Sequence, residues 1–360
     1  METLHVGLGS RSYDIRIGRG LLESGWSGLP ENQRGLIISD SNVDPLYGER
    51  CERALAGLGW TVSREVVPAG ENSKSVACLA GLYERAVEAG LDRSSYIVAL
   101  GGGVVGDLAG FLAASFLRGV RLIQVPTSLL ALVDSSVGGK TGINLPQGKN
   151  LVGAFYQPDL VVADLACLDS LPSREYVSGL AEVVKYGLIW DAEMFGRLER
   201  DREALLNRDD AVLASVVARS CEIKAEVVSV DERESGVRAI LNFGHTLGHA
   251  IEAVAGYERW LHGEAVAAGA DYALRLSVSQ KRMAAEDARR VRELQAQLGL
   301  PGMAHPDIAG LPWDALRQAM GADKKTLAGT PRFVLAQKLG AVSFGCEVSE
   351  EALEQAFREG

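Results

Sequence analysis

Residues 242–250 read NFGHTLGHA and set His245 and His249 four apart; His262 follows in RWLHGEAVA. The chain has only five histidines, so three of them between positions 245 and 262 form a cluster. A spacing of four puts two imidazoles on one helical face, which is how a helix presents metal ligands. The zinc-protease form H-E-x-x-H needs glutamate directly after the first histidine. Thr246 stands there instead, which excludes that reading. Each histidine taken singly fits a packed or capping role equally well, and it is the clustering that points to a site.

A catalytic zinc takes three protein ligands and keeps one position open. In the apolar helical pattern GLAEVVKYGLI, Glu182 and Lys185 lie three apart on one face. Such a pair is either a simple ion pair or, on a helix that buries it, two groups with specific partners. Glu182 with His245 and His262 would make a two-histidine, one-glutamate site and leave His249 for proton transfer.

A second chemistry is written in GGGVVGD, residues 101–107, placed after the strand-like YIVAL and before the helical DLAGFLAASF. Gly101, Gly103 and Gly106 satisfy G-x-G-x-x-G. In a strand-to-helix turn this pattern either holds a pyrophosphate on backbone amides or packs tightly against a sheet. A standard dinucleotide fold carries an acid at the end of the next strand, but VRLIQVPTS has none. The acid occurs earlier, as Asp40 in IISDSNV, so a dinucleotide here requires a different strand order. SSVGGKTGIN resembles the end of a P-loop, yet Asp134 occupies the position of the first glycine, which excludes nucleotide hydrolysis of that type. Lys140 and the nearby GKN (Gly148, Lys149, Asn150) read as an anion-binding loop.

These residues need a scaffold. TLHVGL and YDIRIG flank the turn-rich GSRS and read as a hairpin; GLIISD, WTVSREVV, SYIVALGG, VRLIQVPT and DLVVADL follow as strands between helical stretches. That alternation predicts a mostly parallel sheet covered on both faces, with ligands at the carboxyl ends of its strands. After Leu171-Pro172 nearly every segment has helical periodicity until PRFVLAQ. The predicted fold is therefore α/β: a Rossmann-like parallel-sheet domain over 1–172 and an all-helical metal- and substrate-binding domain over 173–360.

The length of 360 residues suits two domains, and 47% apolar with 23% charged residues is ordinary for a globular chain. A net charge of -10 argues against general nucleic-acid or anionic-membrane binding. The start METLHVGLGSRSYDIRIG lacks a basic segment followed by an apolar core, and Tyr96–Leu117 carries five glycines and Asp107, which argues against a membrane span. The five cysteines form no C-x-x-C pair. Reduced thiols in a cytoplasmic protein are the simplest expectation.

Together, SDSNV, PAGENSKS, GGGVVGDLAGF, QVPTSLLALVDSSVGGKTGIN, GKNLVGAFYQP, GLAEVVKYG, LNFGHTLGHAIE, LHGEAVA and DKKTLAG resemble, in order, the motifs of the 3-dehydroquinate synthases, members of the sugar phosphate cyclase family. The resemblance spans almost the whole chain. It implies NAD and a zinc or cobalt ion as cofactors, with Glu182, His245 and His262 as metal ligands. It also implies NAD contacts from Asp40 and Asn42; Gly70, Glu71, Asn72, Ser73 and Lys74; Gly103, Val104, Val105, Gly106 and Asp107; Thr127 and Ser128; Lys140 and Lys149; and Leu168, Asp169 and Ser170. The implied substrate pocket is Asp134, Lys140, Asn150, Lys185, Lys224, Arg238, Asn242, His249 and Lys324 or Lys325. Glu234 would assist proton transfer, and Arg118 would reach in from a neighbouring subunit of a homodimer.

The implied substrate is 3-deoxy-D-arabino-heptulosonate 7-phosphate. Its carboxylate suits Arg238 and Lys224, its phosphate the lysine and asparagine cluster, and its vicinal hydroxyls a divalent ion. The implied activity is a phosphate lyase and cyclase of the shikimate pathway, serving aromatic amino acid biosynthesis. Rival readings are a cyclase acting on an aminated or differently hydroxylated ring, a metal-dependent polyol dehydrogenase that releases NADH, and an inert binding module. Lys224, Arg238, Asn242 and His249 fit the dehydroquinate type, and so many lysines suit a phosphate better than a polyol.

Overall fold

The computed structural model describes residues 1–256, 259–322 and 331–358. The chain forms two compact units: Met1–Leu171 with Ser220–Ser229, and Pro172–Arg219 with Val230–Gly360.

The first unit opens with β1 (Glu2–Val6) and β2 (Tyr13–Gly18), the antiparallel pair read from the sequence. There follow α1 (Leu21–Ser24), β3 (Arg34–Asp40), α2 (Asp44–Ala56), β4 (Thr61–Val67), α3 (Val76–Glu88), β5 (Tyr96–Gly101), α4 (Gly103–Ser115), β6 (Arg121–Pro126), β7 (Lys140–Leu145), β8 (Gly148–Phe155) and β9 (Leu160–Asp164). Seven strands form one sheet in the order β1-β2-β9-β6-β5-β3-β4, parallel from β2 onward.

Every residue of β5, YIVALG, is buried, as expected of a parallel strand covered on both faces. Alternation then divides its side chains. Ile97 and Ala99 join Leu36 and Ile38 beneath α3 and α4, through Leu79, Leu82, Leu108 and Leu112. Val98 and Leu100 join Ile37 on the other face, against Leu21, Leu22, Cys51 and Leu55 of α1 and α2.

The strand order carries the functional consequence. From β3 the chain moves outward to β4, returns to β5 on the other side of β3, and continues away through β6 and β9. The reversal falls between β3 and β5, and in open α/β sheets ligands bind outside the carboxyl ends of the strands at such a point. Asp40 ends β3, and α4 begins just after β5.

One expectation needs correction. The GGKTGIN and GKN segments are not an irregular loop; they are β7 and β8, an antiparallel hairpin with Lys140 opposite Phe155 and Leu145 opposite Gly148. Ile143 enters the core beneath α4, and Thr141 Oγ1 donates to the Ala154 carbonyl at 2.9 Å. One buried isoleucine and this pairing organise a segment whose glycines and lysines look like loop.

The second unit contains α5 (Ser173–Ile189), α6 (Ala192–Leu206), α7 (Asp210–Val230), α8 (His245–Ala255), α9 (His262–Ser279), α10 (Ala285–Gln297), α11 (Pro306–Ala309), α12 (Trp313–Ala322), β10 (Phe333–Lys338), β11 (Ala341–Cys346) and α13 (Glu350–Arg358). It is helical, as expected, with one addition that an all-helical description leaves out: the antiparallel pair β10–β11. Its core joins Leu247 and Ile251 of α8 and Tyr272 and Leu276 of α9 to Leu316, Met320, Leu335 and Phe357. Residues 220–229 of α7 group with the first unit, although α7 is continuous. No described helix is long and apolar enough to cross a membrane.

Candidate functional site

In the second unit, Glu182 of α5, His245 at the start of α8 and His262 at the start of α9 offer ligand atoms that all lie within 4.8 Å of one another. Glu182 Oε1 is 3.8 Å from His245 Nε2 and 3.9 Å from His262 Nε2. Those separations are too long for hydrogen bonds. Atoms about 2.0–2.2 Å from a shared ion lie roughly 3–4 Å from each other, which these separations match. Glu182 is fully buried; Lys185 Nζ pairs with its Oε2, while Oε1, the oxygen toward the two imidazoles, accepts no hydrogen bond from a described residue. A buried carboxylate oxygen without a hydrogen bond is costly unless it has a partner of its own.

The imidazoles are oriented to match. His245 Nδ1 lies 3.1 Å from the Phe243 carbonyl, an acceptor that requires the proton on Nδ1 and leaves the Nε2 lone pair toward Glu182. His262 Nδ1 lies 3.4 Å from Glu252 Oε2. His249, one turn beyond His245, has its ring centroid 5.3 Å from that of His245 and 6.0 Å from that of His262. Two imidazoles anchored through Nδ1 and one carboxylate have the donor chemistry of a divalent zinc or cobalt site.

Two glycines bring the three helices this close. A Cβ on Gly263 would fall 1.8 Å from the Ser178 carbonyl oxygen of α5, and one on Gly269 would fall 2.0 Å from the Gly244 carbonyl oxygen at the head of α8. A clasp fixes the start of α9: Glu264 accepts from Leu261 N at 2.9 Å and takes Arg174 in a two-point pair at 2.7 and 2.8 Å.

The loop after α7 organises the polar side chains next in sequence. Asp231 accepts from Ser235 N, Gly236 N and Arg238 N at 2.9, 2.7 and 3.1 Å. Burial opposes its charge, but these amides outweigh burial and hold its carboxyl below the ordinary carboxylate range. The loop brings Asn242 Nδ2 to within 2.6 Å of Glu234 Oε1, and Arg238 is 1% exposed and donates to the Glu232 carbonyl.

In the first unit, the expected cofactor residues other than Lys140 and Lys149 all follow the carboxyl ends of parallel strands. Asp40 ends β3 and folds back on its own turn, accepting from Asn42 N at 2.8 Å and Val43 N at 3.1 Å. Gly70–Lys74 follow β4, Thr127 and Ser128 follow β6, and Leu168–Ser170 close the short helix after β9. Gly103, Val104, Val105, Gly106 and Asp107 open α4 itself, with Gly102 as the cap, so the helix starts four residues before the DLAGFLAASF pattern suggests. The first amides of a helix have no partner within it, so this turn presents N–H groups where an anion would sit. Val105 and Leu168 are fully buried and have only backbone to offer a ligand. Asp169 is taken by Arg19 in two contacts of 2.8 Å, and Ser170 Oγ by Tyr47 at 2.6 Å.

Lys74 ties this edge together. Its buried Nζ reaches Asp107 Oδ2 at 2.7 Å and Asn150 Oδ1 at 2.5 Å, and Glu71 lies at 3.5 Å. Burial pushes the ammonium down, yet the Asp107 and Glu71 carboxylates push it up further, so it stays above the ordinary lysine value. Lys224, in the part of α7 that belongs to this unit, donates to the Asp134 carbonyl at 2.5 Å and pairs with its Oδ1 at 2.7 Å. The hairpin register puts Lys140 at the open end and Lys149 and Asn150 near the closed end, so they do not form one loop. Arg118 is exposed in a turn where Leu117 and Arg118 both take positive φ, +50° and +68°. Lys324 and Lys325 lie outside the described residues.

The sequence reading missed Glu252, Glu264 with Arg174, and Asp231. Only Glu252 left a trace, since it falls three residues after His249 on the same helical face.

Comparison with known proteins accords with this geometry. The family model described as 3-dehydroquinate synthase N-terminal matches residues 64–178, and the C-terminal model matches residues 179–326. The chain is 47% identical over 358 residues to the 3-dehydroquinate synthase of Desulforamulus reducens, covering 97% of this chain and 98% of that one. Among solved structures, a 2-deoxy-scyllo-inosose synthase complexed with carbaglucose-6-phosphate, NAD+ and Co2+ superposes with a TM-score of 0.89 at 29% identity, covering both chains fully. The 2-epi-5-epi-valiolone synthase of Streptomyces hygroscopicus, with NAD+ and Zn2+ bound, gives 0.88 at 28% identity over 96% of this chain and 95% of that one. Near-complete coverage at this identity, on a scaffold shared with other sugar phosphate cyclases, places the chain in the 3-dehydroquinate synthase family.

Proposed function

We propose that this chain converts 3-deoxy-D-arabino-heptulosonate 7-phosphate to 3-dehydroquinate and phosphate, as an NAD- and metal-dependent lyase. The observation that carries the proposal is the convergence of Glu182, His245 Nε2 and His262 Nε2 in a member of this family. Glu182, His245 and His262 would hold a zinc or cobalt ion. The first turn of α4, Asp40 and the residues after β4, β6 and β9 would hold the dinucleotide. When bound, NAD would accept a hydride and return it each turnover, and the ion would acidify a coordinated hydroxyl.

The remaining steps belong to the chain's own residues. His249 would receive the hydroxyl proton, and the hydrogen-bonded Asn242–Glu234 pair would assist it. Lys224 and Arg238 supply fixed positive charge for the substrate carboxylate, and both are held by carbonyl oxygens before any ligand arrives. Lys140, Lys149 and Asn150 serve phosphate oxygens from the two ends of the hairpin, and Lys185 shields the Glu182 charge. Elimination of phosphate and closure of the ring ask the protein mainly to hold one conformer. Arg118 would complete the phosphate contacts from the partner in a homodimer, and the setting is cytoplasmic.

The deciding assay follows phosphate release from the heptulosonate phosphate with catalytic NAD, with and without a chelator. Release should depend on NAD, stop with the chelator and leave no net NADH. Glu182→Ala and His262→Ala should abolish it. Accumulating NADH, or release unaffected by those variants, overturns the proposal.

A further inference from the structure

We infer that Glu252 is a positioning residue of the metal centre, holding His262 by Nδ1 so that Nε2 faces Glu182; this rests on the metal reading proposed above. Glu252 stands on α8, three residues after His249 and seven after His245, so the three share a helical face. Its carboxylate is buried, 4% exposed, with Oε2 3.4 Å from His262 Nδ1. A neutral imidazole has one N–H and one lone pair. With the proton of Nδ1 directed at Glu252, the lone pair lies on Nε2, 3.9 Å from Glu182 Oε1.

The two histidines differ in what anchors them. His245 leans on a backbone carbonyl of its own chain segment, which no substitution removes. His262 has the more exposed side chain, 30% against 12%, and its anchor is a side chain from another helix. Orientation of His262 is therefore the more open to a side-chain substitution, and Glu252 contributes to it. Carboxylates in this position fix the tautomer and ring angle of a metal-binding histidine and raise its basicity.

A second group, His249, Glu252 and His262, also offers atoms within 4.8 Å of one another. In it Glu252 would be a ligand and His262 would bind through Nδ1. The first arrangement is favoured because the Phe243 carbonyl independently turns the His245 lone pair toward Glu182 Oε1, which accepts no hydrogen bond from a described residue.

The test is metal binding, read without turnover. Stripped protein is titrated with Co2+ against a competing chelator, and the visible cobalt absorption is recorded, for wild type, Glu182→Ala, Glu252→Ala and Glu252→Gln. Glu252→Ala should weaken binding about ten- to a hundredfold and alter the absorption. Glu252→Gln keeps an oxygen acceptor for Nδ1–H and should stay within a few-fold of wild type. Should Glu252→Ala not fold, Glu252→Leu, which fills the space without accepting a hydrogen bond, is read in its place. Wild-type affinity in Glu252→Ala, with binding lost in Glu182→Ala, refutes the inference and leaves the metal reading intact. Binding lost in both Glu252 variants but kept in Glu182→Ala makes Glu252 a ligand and overturns both. Undiminished binding in all variants removes the metal reading itself and the inference with it.

Discussion

Gly263 meets Ser178 backbone to backbone: a Cβ on the glycine would stand 1.8 Å from the serine carbonyl oxygen. The contact lies one residue after His262 and four before Glu182, so the spacing of α9 and α5 and the distance between two candidate ligands are set together. A backbone carbonyl cannot rotate aside as a side chain can. Gly263→Ala should therefore lie at or beyond the upper end of the roughly 1–3 kcal/mol typical of overpacking. The expected outcome is a lower melting temperature together with substoichiometric metal, measured by calorimetry and elemental analysis. Full metal content in a destabilised variant would mean that the ligands do not depend on this contact.

Asp231 gives a pH-dependent prediction. Its folded-state pKa is depressed by the Ser235, Arg238 and Gly236 amides, so its contribution is present above the unfolded value, near 3.9, and fades as pH falls through the lower folded value. Asp231→Asn should be less stable than wild type at pH 7, because an amide oxygen and an NH2 group cannot accept from all of these donors at once. The gap in melting temperature should narrow below about pH 4 as the wild-type carboxyl itself protonates. A gap that stays constant into strong acid would assign the effect to shape instead of charge.

How much of this was readable in the sequence depended on the period of the pattern. The five parallel strands after the hairpin and the long helices declared themselves because buried strands such as YIVALG and stripes such as that of α3 repeat over many residues. The proximity of Glu182, His245 and His262 was legible in part, from the clustering of the histidines and the unusually apolar helix that carries Glu182. The hairpin β7–β8 was not, since its register rests on Ile143 and on pairing with a strand whose side chains are largely exposed. The grouping of residues 220–229 with the first unit was also hidden, because helical periodicity says which face is buried but not against what. Asp40 lies between these cases. Its chemistry was visible, and its place beside β5 followed only once the sheet order was known.

Glu264 and Arg174 separate a visible ion pair from a stabilising one. Arg174 is 58% exposed, and pairs with so mobile and solvated a partner contribute about 0–1 kcal/mol. Arg174→Ala should shift the melting temperature little. Glu264→Ala removes the same pair and also the acceptor for Leu261 N at the head of α9, which adds about 1 kcal/mol by analogy with other helix caps. Thermal melts of both variants decide the matter. Equal shifts would mean that the cap contributes nothing.

Lys74 and Asp107 form the pair whose loss should be felt most in the first unit. Lys74 is 4% exposed and Asp107 20%, and removing one partner of a buried pair costs roughly 3–5 kcal/mol by stranding the other charge; the partial exposure of Asp107 favours the lower end. Lys74→Met should therefore destabilise strongly and also release Asn150, whose amide oxygen accepts from Lys74 and whose backbone takes a φ of +52°. Adding Asp107→Asn removes the stranded charge and should recover part of the stability, but the lost tether to Asn150, together with the change at two residues assigned to the dinucleotide, should keep NAD-dependent phosphate release low. Urea melts and the phosphate assay on the single and double variants separate the two effects. If the double variant recovered activity in step with stability, Lys74 would act only by neutralising Asp107, and its hold on Asn150 would have no functional weight.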